Sequence, residues 1–113
     1  MTRPVLNRRL TLERPLRTRD EAGGYVTTWG VLGTLWASIR PGTGRDAESA
    51  GLTVSTVPYR ITVRAAPVSS PQRPVPGQRL REGTRMFAVL AVTEADDDAR
   101  YLTVFAREEE VAS

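Results

Sequence analysis

Residues 23–41 read GGYVTTWGVLGTLWASIRP, and this stretch decides the fold. It opens on Gly23-Gly24, a turn signal, carries both tryptophans, Trp29 and Trp36, and closes on Pro41. At period two, Tyr25, Trp29, Val31, Leu35, Ala37 and Ile39 fall on one side, with Thr27 and Gly33 between them. Thr28, Gly30, Thr34, Ser38 and Arg40 fall on the other, with Val26, Leu32 and Trp36 as exceptions. That alternation predicts a long, bent strand with one face on a core. Gly30 and Gly33 mark the place for a bulge or a break. Tryptophans on such a strand are expected to pack in the core rather than to stack on bases.

Upstream, residues 8–14 (RRLTLER) put Leu10 and Leu12 on one side and Thr11 and Glu13 on the other, a first strand that Pro15 limits or marks as an edge. Residues 18–24 are a polar, glycine-bearing hairpin connection, longer than the tight two-residue kind. Downstream, residues 41–57 (PGTGRDAESAGLTVSTV) read as an excursion from the sheet, with room for a short helical turn over 45–50. Residues 59–65 (YRITVRA) are a clear strand: Tyr59, Ile61 and Val63 inward, Arg60, Thr62 and Arg64 outward. Residues 67–78 carry Pro67, Pro71, Pro74 and Pro76, which bars them from a ladder interior and predicts a second excursion stiffened towards polyproline geometry. A short strand at 79–82, a turn at 83–85 and a strand at 86–93 (MFAVLAVT) follow. This last run is apolar on both faces and is expected to be the most buried strand. An acidic turn at 94–100 leads to the final strand, 101–107 (YLTVFAR).

The whole chain, 1–113, therefore reads as one domain with a flexible arm at 1–7 and long loops at 41–57 and 67–78. The predicted class is all-β: a small antiparallel barrel or sandwich of about six strands with at most a short helix, because closure removes exposed edges. Leu12, Ile39, Ile61, Val63, Val89 and Val104 are the expected core.

Composition narrows the function. The chain has neither cysteine nor histidine, which removes disulfides, thiolate metal sites, the usual general base and the commonest metal ligand. No apolar run reaches transmembrane length and no signal peptide is visible at the N-terminus, so the expected setting is inside a cell, with no membrane partner. All 16 basic residues are arginine, against 13 acids, for a net charge of +3. GC-rich coding accounts for that choice; so does selection for guanidinium forks on phosphate or carboxylate. Asp96-Asp97-Asp98 lacks the glycine and distal glutamate of a calcium loop, and Gly42-x-Gly44-Arg45 lacks the frame of a phosphate loop. No catalytic residue, metal or cofactor is expected. Outward Arg60 and Arg64, together with Arg73, are candidate contacts to phosphates, a subunit or a partner, solvation being the plain alternative.

The order of fragments carries a resemblance. A start like RRLTLER, a Gly-Gly turn leading to a tryptophan, LWASIRP, a loop holding Arg45 and Glu48, YRITVR, RLREGTRMFAVLAV, an acidic turn and YLTVFARE together resemble the head-tail joining (head-closure, or stopper) proteins of tailed bacteriophages. Connectors of gene transfer agents are similar. The resemblance covers nearly the whole chain; the 67–77 loop is longer than the pattern and Ala66 departs from it. It implies a non-enzymatic barrel that forms a ring, hexameric or dodecameric, in a virion or phage-like particle assembled in the bacterial cytoplasm. Its partners would be a portal or adaptor ring, a tail terminator or tail proteins, and packaged double-stranded DNA. The 41–57 loop, with Arg45, Asp46 and Glu48, would face the DNA channel. The alternatives are a nucleic-acid-binding barrel of the OB type and a tail terminator ring of the same particle.

Overall fold

A computed structural model describes residues 3–43, 45, 48 and 57–109. Among them, six strands run in chain order: β1 (Arg8–Arg19), β2 (Tyr25–Pro41), β3 (Pro58–Arg64), β4 (Arg79–Glu82), β5 (Arg85–Glu94) and β6 (Tyr101–Glu109). They pair antiparallel in the order β1-β2-β3-β6-β5-β4, and β4 returns to β1 through Thr11↔Arg81, Leu12↔Leu80 and Glu13↔Arg79, closing a barrel. The expected all-β class and antiparallel barrel are what the chain adopts.

Alternation explains the interior. Leu10 and Leu12 of β1, Ala37 of β2, Ile61 and Val63 of β3, Leu80 of β4, Phe87 and Val89 of β5, and Leu102, Val104 and Ala106 of β6 are buried and form one core. Tyr59 meets Phe87 edge to face, centroids 5.3 Å apart. Of the six residues expected inside, five are buried, and Ile39 packs against them half-buried.

Two bulges set the outline. On β2 the register runs Leu12↔Gly33 and then Glu13↔Val31, leaving Leu32 unpaired, between the two glycines that marked the place. On β5 it runs Val89↔Ala106 and then Ala91↔Phe105, leaving Leu90 unpaired. Each extra residue reverses the parity of its strand.

The structure corrects several expectations, and the reversal accounts for the positions of Val31, Tyr25 and Trp29. Ala37 points inward, but Val31, on the other side of the bulge, is 64% exposed and Tyr25 is 55% exposed. Neither tryptophan is core: Trp36 is 56% exposed and Trp29 lies half-buried beneath Arg79. β5 is apolar on both faces because its inward parity switches at Leu90, and it is less buried than β6. Of the two readings of Pro15, the edge holds: β1 continues to Arg19, paired only with β2 beyond Glu13, and Pro15 sits on that open edge. Residues 67–78 do not extend as polyproline but fold down in successive turns. Ser70 N donates to Pro67 O (2.9 Å), Arg73 N to Ser70 O (3.0 Å) and Gln78 N to Val75 O (3.2 Å). Gly77 N to Val89 O (3.1 Å) and Val89 N to Gln78 O (2.9 Å) tie the segment to β5, and Pro74 is fully buried.

The consequence is a barrel with an arm. Beyond Glu13 and Val31 the β1–β2 ribbon leaves the wall and is exposed on both faces, which lengthens the molecule to 54 × 33 × 23 Å. Its turn is held by Asp20, whose Oδ1 accepts from Ala22 N (3.0 Å) and Gly24 N (2.7 Å), with Gly23 at φ +83°.

Candidate functional site

The described residues hold no group of three or more His, Cys, Asp or Glu side chains suited to a metal ion. What the barrel positions instead are surfaces, at its two mouths and along the arm.

At one mouth the inward rows of four strands end in a charge. Arg8 continues the row of Leu10 and Leu12, Glu82 that of Leu80, Arg85 that of Phe87, and Glu108 that of Ala106. Arg8 Nε donates to Glu82 Oε2 (2.6 Å). Arg85 makes a two-bond fork on Glu108, Nε to Oε2 at 2.8 Å and Nη2 to Oε1 at 3.0 Å. Arg85 also lies over the rings of Phe87 (5.0 Å) and Tyr59 (5.7 Å). The hydrogen bond from Arg8 holds the Glu82 carboxyl below its ordinary value, with the charges of Arg8 and Arg85 adding to the effect. The hydrogen bond from Arg85 does the same for Glu108, helped by the Arg85 charge and the Tyr59 hydroxyl. Four charges of alternating sign therefore seal an apolar core where water would otherwise enter. The sequence reading missed this lid; its signal was a charge at inward parity on four strand ends.

The 41–57 loop leaves from this same mouth. Its base is closed by Gly42 N donating to Pro58 O (2.8 Å), and Pro58 pairs with Arg107 beside Glu108. Arg45 and Glu48 have helical backbone and are exposed, whereas Asp46 lies outside the described residues, as does most of the loop.

At the arm's root, Glu13 is 4% exposed and points outward between two guanidinium groups, Arg79 Nε at 2.7 Å and Arg81 Nε at 3.3 Å. Arg79 in turn stacks 4.1 Å from the Trp29 ring centroid. Burying a carboxylate is tolerable only with such pairing. The cluster lies where the ribbon departs from the barrel.

Along the outer wall, Arg60 and Arg64 are exposed as expected on one face of β3. Arg60 lies 5.8 Å from the Phe105 ring centroid, and Arg40 is its cross-strand neighbour. Arg64 pairs across to Tyr101 and lines a groove of about 650 Å³ with Arg3, Pro4, Asp96, Asp98 and Arg100. Trp36 and Leu6 line its continuation. Arg73 is apart from these: its Nη1 donates to Ala66 O (3.0 Å), within the 67–78 segment. The three arginines thus do not form one site.

The described residues thus form a closed barrel that carries a protruding ribbon, a loop rooted at a charged mouth and arginine-rich outer surfaces. The family model of phage head completion proteins matches residues 1–109, and this chain belongs to that structural family. It is similar to a chain in a structure of the virion of a native gene transfer agent particle, at 44% identity. That match has a TM-score of 0.76 and covers 97% of this chain and 100% of the other. It is also similar to a protein from Shigella flexneri 2a solved in solution, at 25% identity and a TM-score of 0.69, covering 96% of each chain. No curated protein matches at the same standard.

Proposed function

We propose that this chain is a head-tail connector of a tailed phage or gene transfer agent particle: a head-closure ring between portal or adaptor and tail that helps to retain packaged DNA. The observation that carries the reading is the 44% identity, over nearly all of both chains, to a component of a gene transfer agent virion. Virion location and a structural role at the head-tail junction are supported by that likeness; the ring, of six or twelve copies, is part of the proposal.

The geometry supports a place for DNA retention. The 41–57 loop is rooted at the charged mouth, so a ring with those mouths towards its axis carries one copy of Arg45, Asp46 and Glu48 per subunit around the channel. Weak phosphate contacts repeated in this way act multivalently, while the acids keep the collar from gripping DNA too tightly to release it. The test is to delete residues 45–50, leaving the strands intact. The expected result is particles that contain the protein but join tails poorly or lose packaged DNA. Normal particles with full DNA retention would make the loop a passive spacer.

One observation favours a second reading, direct binding of nucleic acid: Arg40, Arg60 and Arg64 share the outer wall with Phe105, Tyr101 and Trp36. Tight binding of the isolated chain to free DNA, falling steeply with salt, would support it over the connector role.

A further inference from the structure

We infer that the β1–β2 arm is a docking element for a second copy of this chain, its basic, aromatic face seating on the acidic β5–β6 turn of the neighbour. The inference rests on the ring-forming reading above and supplies that ring's contact. A two-stranded ribbon without a core is only marginally stable alone. This one runs from Arg14↔Gly30 to Arg19↔Tyr25 with no third strand on either edge among the described residues. It also exposes Tyr25 and Val31 on one face and Val26 and Leu16 on the other. Exposed apolar side chains on an unsupported ribbon mark an interaction surface.

The register sorts the arm's side chains. Pro15 with Trp29, Arg17 with Thr27 and Arg19 with Tyr25 share one face, and Val31 continues it. Arg17 is stacked 4.5 Å from the Tyr25 ring centroid, which holds its guanidinium in place before any partner arrives. Asp20, next to Arg19 in the chain, is spent on the turn, and Glu21 beyond it is exposed.

The complementary surface is on the same molecule. Glu94, Asp96, Asp97 and Asp98 crowd one exposed turn, opposed locally by Arg100. Among the described residues, Asp98 reaches only Arg100, at 3.8 Å, while Glu94 and Asp97 form no ion pair. Beside this turn lies the groove of about 650 Å³ lined by Arg64 and Tyr101. A surface that joins one patch to a different patch is heterologous. It propagates head to tail and closes into a ring when the rotation permits.

The absence of cysteine allows a direct test in assembled particles. Arg19→Cys and Asp97→Cys are introduced separately and together, folding is confirmed by circular dichroism, and a short bismaleimide is added. The double variant should give a ladder of linked chains and each single variant none, while a particle map reports whether the chain forms a ring. A ring without a ladder would overturn the arm contact and leave the ring reading standing; no ring would overturn both. In a second arm, with the label sites moved to Thr27→Cys, which shares the face of Arg17, and Ala95→Cys, Arg17→Glu with Arg19→Glu should cut linking about tenfold, since like charges then face each other. Adding Glu94→Arg with Asp97→Arg should restore it. No loss, or no restoration in folded protein, would overturn the pairing.

Discussion

Arg8 and Glu82 meet across one mouth of the barrel, Nε to Oε2 at 2.6 Å, although they are 74 positions apart in the chain. The contact spans the two strands that closure brings together, β1 and β4. With Arg85 on Glu108 it turns four strand ends into a polar lid over Phe87 and Leu10, both fully buried.

This lid makes stability depend on acid. Glu82 and Glu108 are held below the ordinary value of 4.5, each chiefly by the hydrogen bond from its arginine. Near that value the folded chain binds fewer protons than the unfolded one, so their contribution is complete above about pH 4.5 and is lost as pH falls through the folded values. Because the pairs are partly exposed, each is worth only about 0.5–1 kcal/mol. Resistance of the wild type to urea is expected to fall as pH drops below about 4.5, with a shallower slope in Glu82→Gln. Equal slopes would remove Glu82 from the acid response.

Glu13 should matter more. It is buried between Arg79 and Arg81, so Glu13→Ala leaves two guanidinium groups facing each other without their carboxylate. The expected cost is about 2–4 kcal/mol, discounted from a fully buried pair because Arg81 is partly exposed. Trp29 emission should shift as well, since Arg79 stacks on its ring. An unchanged unfolding midpoint and spectrum would leave the cluster without a structural role.

Ile61 is fully buried at the centre of the core. Ile61→Ala is expected to cost on the order of 2–4 kcal/mol, transfer and cavity together. Chemical unfolding checks it, and a loss under 1 kcal/mol would mean that the barrel collapses onto the gap, as loosely packed sites do.

Most of the wall was legible because period-two alternation is a local signal. Tyr59, Ile61 and Val63 need no partner to reveal their face, and Leu102, Val104 and Ala106 are equally plain. What was not legible depended on distant strands. Leu32 and Leu90 are ordinary apolar residues in apolar runs; only the register against β1 and β6 shows that they are extra. Once Leu32 is skipped, Trp29 and Val31 change sides, and a predicted core strand becomes an exposed arm. Glu13 and Glu82 read locally as surface charges, since the arginines that bury or bridge them lie elsewhere in the chain. Of the candidate contacts, Arg60 and Arg64 were legible as outward by parity, but the bond from Arg73 to Ala66 needed the folded loop.

The bulge itself gives the last prediction. Leu32 is half-buried against the core, and its extra length in β2 lets the ribbon bend away from the wall while every cross-strand pair of the arm is kept. Leu32→Ala and deletion of Leu32 separate these two roles. The alanine variant loses packing, on the order of 1–2 kcal/mol for a partly buried leucine, but keeps the extra backbone unit. The deletion preserves the pairs Leu12↔Gly33 and Glu13↔Val31 and removes the bend and local twist that a bulge imposes. With no native cysteine, spin labels can be placed at Thr27→Cys on the arm and Thr93→Cys on the barrel. The distance distribution between them should shift in the deletion variant and stay at the wild-type value in Leu32→Ala. If both variants keep the wild-type distribution, the Glu13–Arg79–Trp29 cluster aims the arm and the bulge does not.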